Sequence, residues 1–170
     1  MRIAELYDPT GIHEPIKLQQ KLHLSKLNGR DWKEPLPPEE KVLWKTLLFE
    51  FVEFHRLWVP RCVFQPGSGD GDIRLVCFAD AAVVAGGAAV YAGVELTPGC
   101  YSSALIAAKS RLIKGTVPRN ELSAIMLMTE LAFMVKRALG EQAKEVVYIS
   151  DSIIALSWFF SLKKKLHLFV

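Results

Sequence analysis

The sequence predicts an α/β domain, a mixed sheet with helices packed on it, preceded by an α-helical N-terminal extension. Three observations predict it. Apolar spacing is helical up to about residue 60 and strand-like after residue 73. The stretch Gln65-Pro-Gly-Ser-Gly-Asp-Gly-Asp72, crowded with turn formers, separates the two regimes and reads as a linker. The order after it is three strands, a long helix, a strand, a helix and the start of another strand. The division expected is a helical segment over 1–64, a linker over 65–72 and the α/β domain over 73–170.

Glu14 to Leu27 reads as a helix with an apolar face of Ile16, Leu18, Leu22, Leu24 and Leu27, ended by Asn28-Gly29. Pro37-Pro38 followed by Glu39-Glu40 starts a second, because proline fits a first turn and carboxylates suit its positive end. Val42, Trp44, Leu47, Leu48, Phe51 and Phe54 give it an apolar side, and Trp58-Val59-Pro60 is expected to close it. Arg74 to Ala79 is a strand running into Asp80. Ala88 to Leu96 and Ser103 to Lys109 are two more, joined by the turn Thr97-Pro-Gly99, so antiparallel pairing is expected. Pro118 to Leu139 is the strongest helix, with Lys136 and Arg137 in its last turn and Gly140 as its stop. Glu145 to Ser150 is a fourth strand ending at Asp151. The long crossover before it allows parallel pairing with the first strand. Ser152 to Phe160 reads as a helix, then comes the basic run Lys163-Lys164-Lys165. His167 to Val170 opens another strand, and the domain is expected to be C-terminally incomplete at Val170.

Composition excludes several classes. Of 170 residues, 51% are hydrophobic, which supplies a core and argues against general disorder. A net charge of +3 permits a polyanionic partner without marking a strongly basic nucleic-acid binder. Cys62, Cys77 and Cys100 are scattered, against a disulfide framework or a zinc site and consistent with a reducing compartment. The N-terminus lacks the apolar core of a signal peptide. The longest uncharged apolar run, Ala81 to Val94, is too short for a bilayer. The expectation is an intracellular, cytoplasmic protein with no membrane association.

Three acids stand where apolar residues belong. Alternation places Asp80 on one face with Val76 and Phe78, and Asp151 with Val147 and Ile149. Glu121 heads the helical stripe Ile125, Met128, Ala132, Val135 and Leu139. A strand-ending Asp is also a turn former, and a first-turn Glu also complements the helix dipole. If the three converge, however, their mutual repulsion calls for protons or a bound cation. A set of oxygens without His or Cys favours Mg²⁺ or Mn²⁺.

The residues Cys77-Phe-Ala-Asp80-Ala-Ala, Gly87-Ala-Ala-Val-Tyr91, Ala107-Ala-Lys-Ser-Arg111, Val117-Pro-Arg-Asn-Glu121-Leu and Ser150-Asp-Ser152 with Trp158 resemble the ribonuclease H domain of Pao/BEL-type retrotransposons. Tyr7-Asp-Pro-Thr-Gly11, Trp32 with Pro35-Leu-Pro37, and Trp58-Val-Pro-Arg-Cys62 look like the connecting region at the end of that family's reverse transcriptase. The resemblance implies a ribonuclease H-like fold and hydrolysis of the RNA strand of RNA–DNA hybrids with two Mg²⁺ (or Mn²⁺) ions about 3.5–4 Å apart. It implies that Asp80 bridges both ions, Glu121 binds the one nearer the attacking water and Asp151 completes the other site. It further implies 3′-hydroxyl and 5′-phosphate products, the polymerase part of the same polyprotein as a partner, and residence in a virus-like particle with nuclear access. The order Asp, Glu, Asp differs from the Asp, Asp, Glu of transposase and integrase cores. Proofreading exonucleases carry Asp-x-Glu on the first strand, whereas Ala81-Ala82 follows Asp80 here.

Family members carry a hydroxyl residue where Ala82 stands, an aromatic where Gly86 stands, and a fourth acid beyond the fifth strand, past Val170. These departures motivate an alternative: a non-catalytic nucleic-acid-binding or tether domain of a degenerate or truncated retroelement polyprotein. Lys109, Arg111 and Arg119, with Lys114, are candidates for phosphate contacts or else a solvated surface. Lys163 to Lys165 reads as a solvated face. Ser152 reads as a helix cap, and the four histidines, without ligand spacing, as structural or surface residues. Trp44, Trp58 and Trp158 read as core. Gly86-Gly87 lacks the context of a phosphate loop.

Overall fold

A computed structural model describes residues 8–31, 33–54, 56, 58–60, 63–64 and 71–160. The elements are α1 (Glu14–Lys26), α2 (Pro38–Phe54), β1 (Ile73–Ala81), β2 (Ala85–Thr97), β3 (Cys100–Leu112), α3 (Val117–Leu139), β4 (Ala143–Ile149) and α4 (Ile153–Phe160). The sheet order is β3-β2-β1-β4, with β1, β2 and β3 antiparallel and β4 parallel to β1. This is the expected ribonuclease H-like α/β arrangement. The linker stretch 65–70 and everything after Phe160, including Lys163 to Lys165 and the predicted last strand, lie outside the described residues. Among the described residues, no helix is long and apolar enough to cross a membrane.

The core lies between α3 and one face of the sheet. Ile73, Leu75, Cys77 and Ala79 of β1 and Ala88, Val90, Ala92 and Val94 of β2 are buried against Ile125, Leu127, Met128, Leu131, Ala132 and Val135 of α3. Each large apolar side chain buried there contributes about 1.5–3 kcal/mol. The stripe below Glu121 therefore points into the core as its spacing predicts. Burial in low dielectric raises the Cys77 thiol to about 11, so it behaves as a small hydrophobe. Gly140, at φ 59°, stops α3 in a conformation that favours glycine. The strands are longer than their apolar runs, because pairing such as Ala81↔Gly86 and Ala85↔Leu112 extends the ladder across small residues of low strand propensity.

The N-terminal helices depart from expectation. In α1 the buried residues are Gln20 and His23, while Leu24 is 44% exposed. The helix turns polar groups inward: Glu14 bonds to Ser110 of β3, and His23 Nε2 meets Glu40 Oε2 of α2 at 2.5 Å. In α2 only Leu47 and Phe51 of the predicted apolar side are buried. The helix ends at Phe54, short of the predicted stop, with Arg56 N–H donating to Glu53 O in a tightened last turn. Trp58 is thus not carried onto a helix face. It is 84% exposed, which corrects the core assignment.

The segment leading into α1 lies against β3. Ala108 N–H donates to Thr10 O at 2.7 Å. Gly11, at φ 72°, approaches so closely that a Cβ would sit 2.0 Å from Ala108 O, leaving no room for a side chain. Gly11→Ala is therefore expected to lift this segment off β3, with faster amide exchange at Ala108 and retained protection in β1 and β2. Unchanged exchange at Ala108 would refute the close approach.

Candidate metal centre

Asp80 is the penultimate residue of β1, Glu121 lies in the first turns of α3, and Asp151 follows β4 by two residues. Parallel pairing of β1 with β4, as in Phe78↔Ile149, sets both strand ends side by side, and α3 lowers Glu121 onto them. One carboxylate oxygen from each acid lies within 4.8 Å of the others. The sequence thus placed the three acids together, but their surroundings differ from expectation. Val76, Phe78 and Asp80 do share a face, and it is the one turned away from α3. Phe78 is 41% exposed and Ile149 42%, while the odd-numbered residues of β1 fill the core. Asp80 and Asp151 are consequently exposed, and only Glu121 is half-buried.

Glu121 carries the electrostatic cost. Burial raises its pKa above the usual carboxylate value, the charges of Asp80 and Asp151 raise it further, and a bond from the Ala81 backbone N–H opposes them. Among the described residues, its Oε2 is buried without a hydrogen-bond partner. A cation would satisfy that atom, and the donor set is all oxygen. Oxygens on opposite sides of a Mg²⁺ ion stand about 4.2 Å apart, twice the metal–oxygen distance. The cluster is of a size to share such an ion, so the residues fit Mg²⁺ or Mn²⁺.

Asn120 is the residue that sequence reading missed. It is fully buried, and its Nδ2 donates to Ala82 O at 3.1 Å and Val83 O at 2.8 Å. These bonds tie the first turn of α3 to the turn after β1, fixing Glu121 relative to Asp80. Its place beside Glu121 was the available signal; its burial was not visible. That turn is closed by Ala82 N–H donating to Ala85 O. Gly86 follows it, buried where a Cβ would stand 2.5 Å from Ile113 Cδ1 and 3.3 Å from Ala124 Cβ. The glycine here is matched to its packing.

The basic candidates lie on two elements, β3 and α3. Lys109 is exposed on β3; Arg111 reaches Glu130 of α3 at 3.4 Å; Arg119 is exposed in the first turn of α3. Ser152 Oγ accepts from Ala155 N–H at 3.3 Å, the predicted cap. His13 and His23 pack inside, against Phe51 and Phe54, and against Trp44, respectively.

A family model described as the Pao retrotransposon-like RNaseH-like domain matches residues 1–152. No curated protein and no solved structure matches the chain.

The raised pKa of Glu121 has a definite sign. Its stabilising contribution is complete below about pH 4.5, the unfolded value, and is lost as pH rises through the higher folded value. With divalent ions chelated, Glu121→Gln should match wild type in thermal midpoint near pH 4 and exceed it near pH 7.5. Equal differences at both pH values would remove the repulsion argument.

Proposed function

The chain belongs to the Pao retrotransposon-like RNaseH-like domain family, and from that premise we propose that it hydrolyses the RNA strand of RNA–DNA hybrids at Asp80, Glu121 and Asp151 during reverse transcription. The observation that carries the reading is the convergence of three acids from three separate elements to within 4.8 Å. Its natural setting on this reading is a polyprotein in which residues 1–64 connect the polymerase to the nuclease, with 65–72 as linker.

Asp80, Glu121 and Asp151 would hold two Mg²⁺ or Mn²⁺ ions. Such ions, when bound, lower the pKa of water and stabilise charge on the leaving oxygen. The chain's part is to hold the acids in place. The β1–β4 ladder fixes Asp80 and Asp151, and the Asn120 bonds fix Glu121, so little reorganisation accompanies binding. The Oε2 of Glu121, which has no hydrogen-bond partner among the described residues, would accept a cation. Arg119, two residues before Glu121 on α3, would contact a phosphate and set register, while RNA would be distinguished through its 2′-hydroxyls.

The alternative, a tether that binds without cutting, draws on Ala82, which is exposed beside the acids and brings no hydroxyl to them. A labelled hybrid separates the two. In Mg²⁺ the chain should cut the RNA strand and leave RNA and DNA duplexes intact. Asp80→Asn should lower the rate at least about 10²-fold, the scale for losing a preorganised charge stabiliser. Binding with no cutting by wild type would favour the tether, and undiminished cutting by Asp80→Asn would end the assignment.

Arg119→Ala tests the phosphate contact. Affinity for the hybrid should fall regardless of sequence, and the slope of log K against log salt should lessen by about one. An unaltered slope would return Arg119 to a surface role.

A further inference from the structure

Glu121 stands on the least secured part of α3. The buried stripe of the helix begins at Ala124, and over residues 117–123 Asn120 alone is buried. Among the described residues, Thr116 at the N-cap gives the first turn no side-chain bond. An uncapped first turn leaves backbone N–H groups without partners and frays readily. Asp80, by contrast, is held inside the β1–β2 ladder by its pairing with Gly87.

What secures the first turn is a set of bonds to one short stretch of chain. Glu121 accepts the Ala81 N–H, and the Asn120 amide donates to Ala82 O at 3.1 Å and to Val83 O at 2.8 Å. Two neighbouring side chains of α3 thus engage the three residues that follow Asp80. The next two carbonyls are also taken. Val84 O accepts Ile113 N–H at 3.0 Å, and Ala85 O accepts Ala82 N–H at 2.7 Å. Yet this turn lies at the surface, with Val83 67% and Val84 51% exposed, so directional bonds more than burial keep it closed. The fit around the amide is close. Gly115 has a backbone conformation open to any residue, but a Cβ there would stand 2.9 Å from Asn120 Oδ1.

We propose that Asn120 is a positioning residue that couples the metal centre to the β1–β2 turn, so that an ion held by Glu121 closes residues 82–85 and loss of the Asn120 bonds weakens the hold on the ion. The physical reason is linkage. A cation favours the state in which Glu121 stays beside Asp80, and that is the state in which the amide bonds are made. A bias in one direction then carries the same factor in the other. Groups that orient a metal ligand typically alter its affinity by roughly 10–100-fold. The proposal rests on the acids holding a cation, as in the reading above, and stands apart from whether the chain cuts RNA.

The test uses the full chain, with Mg²⁺ binding followed by calorimetry and amide exchange measured with and without Mg²⁺. Wild type should bind the ion and, on binding, slow exchange at Ala82 and Ile113 more than at Val90, deep in the sheet. Asn120→Leu, similar in size and without an amide, should raise the Mg²⁺ Kd about 10-fold or more and abolish the selective slowing. Gly115→Ala, which displaces the amide without removing it, should act in the same direction and carries the test if Asn120→Leu does not fold. Val135→Ala loosens the far end of α3, roughly 22 Å away along the helix, and should leave the Kd within about twofold. Affinity near that of wild type in both the Asn120 and Gly115 variants, slowing at Ala82 that survives Asn120→Leu, or an equal loss of affinity in Val135→Ala would overturn the coupling, whether or not hybrids are cut. The expected pattern in a chain that cuts no hybrid would keep the coupling and remove the nuclease reading. No Mg²⁺ binding by wild type would remove the metal centre and the coupling with it.

Discussion

Three like charges do not gather within 4.8 Å unless a stiff frame holds them there, and the architecture of this chain supplies that frame. β1 is hydrogen-bonded on both sides, to β2 and to β4, so Asp80 cannot yield sideways. The crossover helix α3 is pinned by a continuous buried stripe from Ala124 to Val135, so Glu121 cannot lift away without exposing apolar surface. Asn120 closes the remaining freedom by bonding the turn that follows Asp80. Packing remote from the acids is what makes their proximity possible, and the cost appears in one place, the half-buried Glu121 carboxylate.

Much of this was legible in the sequence because it rests on periodicity. The α3 stripe, the strand alternation through Asp80 and the glycine stop at Gly140 are local patterns, and each appears in the structure with small shifts in its ends. The family likeness added the order of the acids. What could not be read was which face of β1 the helix would cover. Alternation links Val76, Phe78 and Asp80, yet it is silent on whether that face meets α3 or stays open. The answer depends on the even-numbered residues of β2 and the stripe of α3 meeting the odd-numbered residues of β1, a long-range fact.

The N-terminal helices were the least legible, for a different physical reason. Their leucines suggest an ordinary apolar interface, but α1 is fixed chiefly by charged and polar groups: Asp8 receives Lys17 Nζ at 2.8 Å, Glu14 receives Ser110, and His23 meets Glu40. Directional bonds of this kind leave no periodic trace, because one acid in the right place does the work of several leucines. The same feature accounts for the exposure of Val42, Phe49 and Val52 on α2. A helix pair joined through polar contacts has less need to spend its apolar residues inside.

The seating of residues 10–14 on β3 has an effect beyond the site. β3 is the outermost strand on its side of the sheet, and such a strand ordinarily presents a row of unpaired amides that recruits strands from other molecules. Here two of those amides are taken, Ala108 by Thr10 and Ser110 by Glu14, and the flush contact at Gly11 covers the backbone between them. The segment entering α1 therefore works as a selvedge along this stretch of β3: it occupies amides that an intermolecular strand would otherwise need, and leaves less of that edge open to pairing.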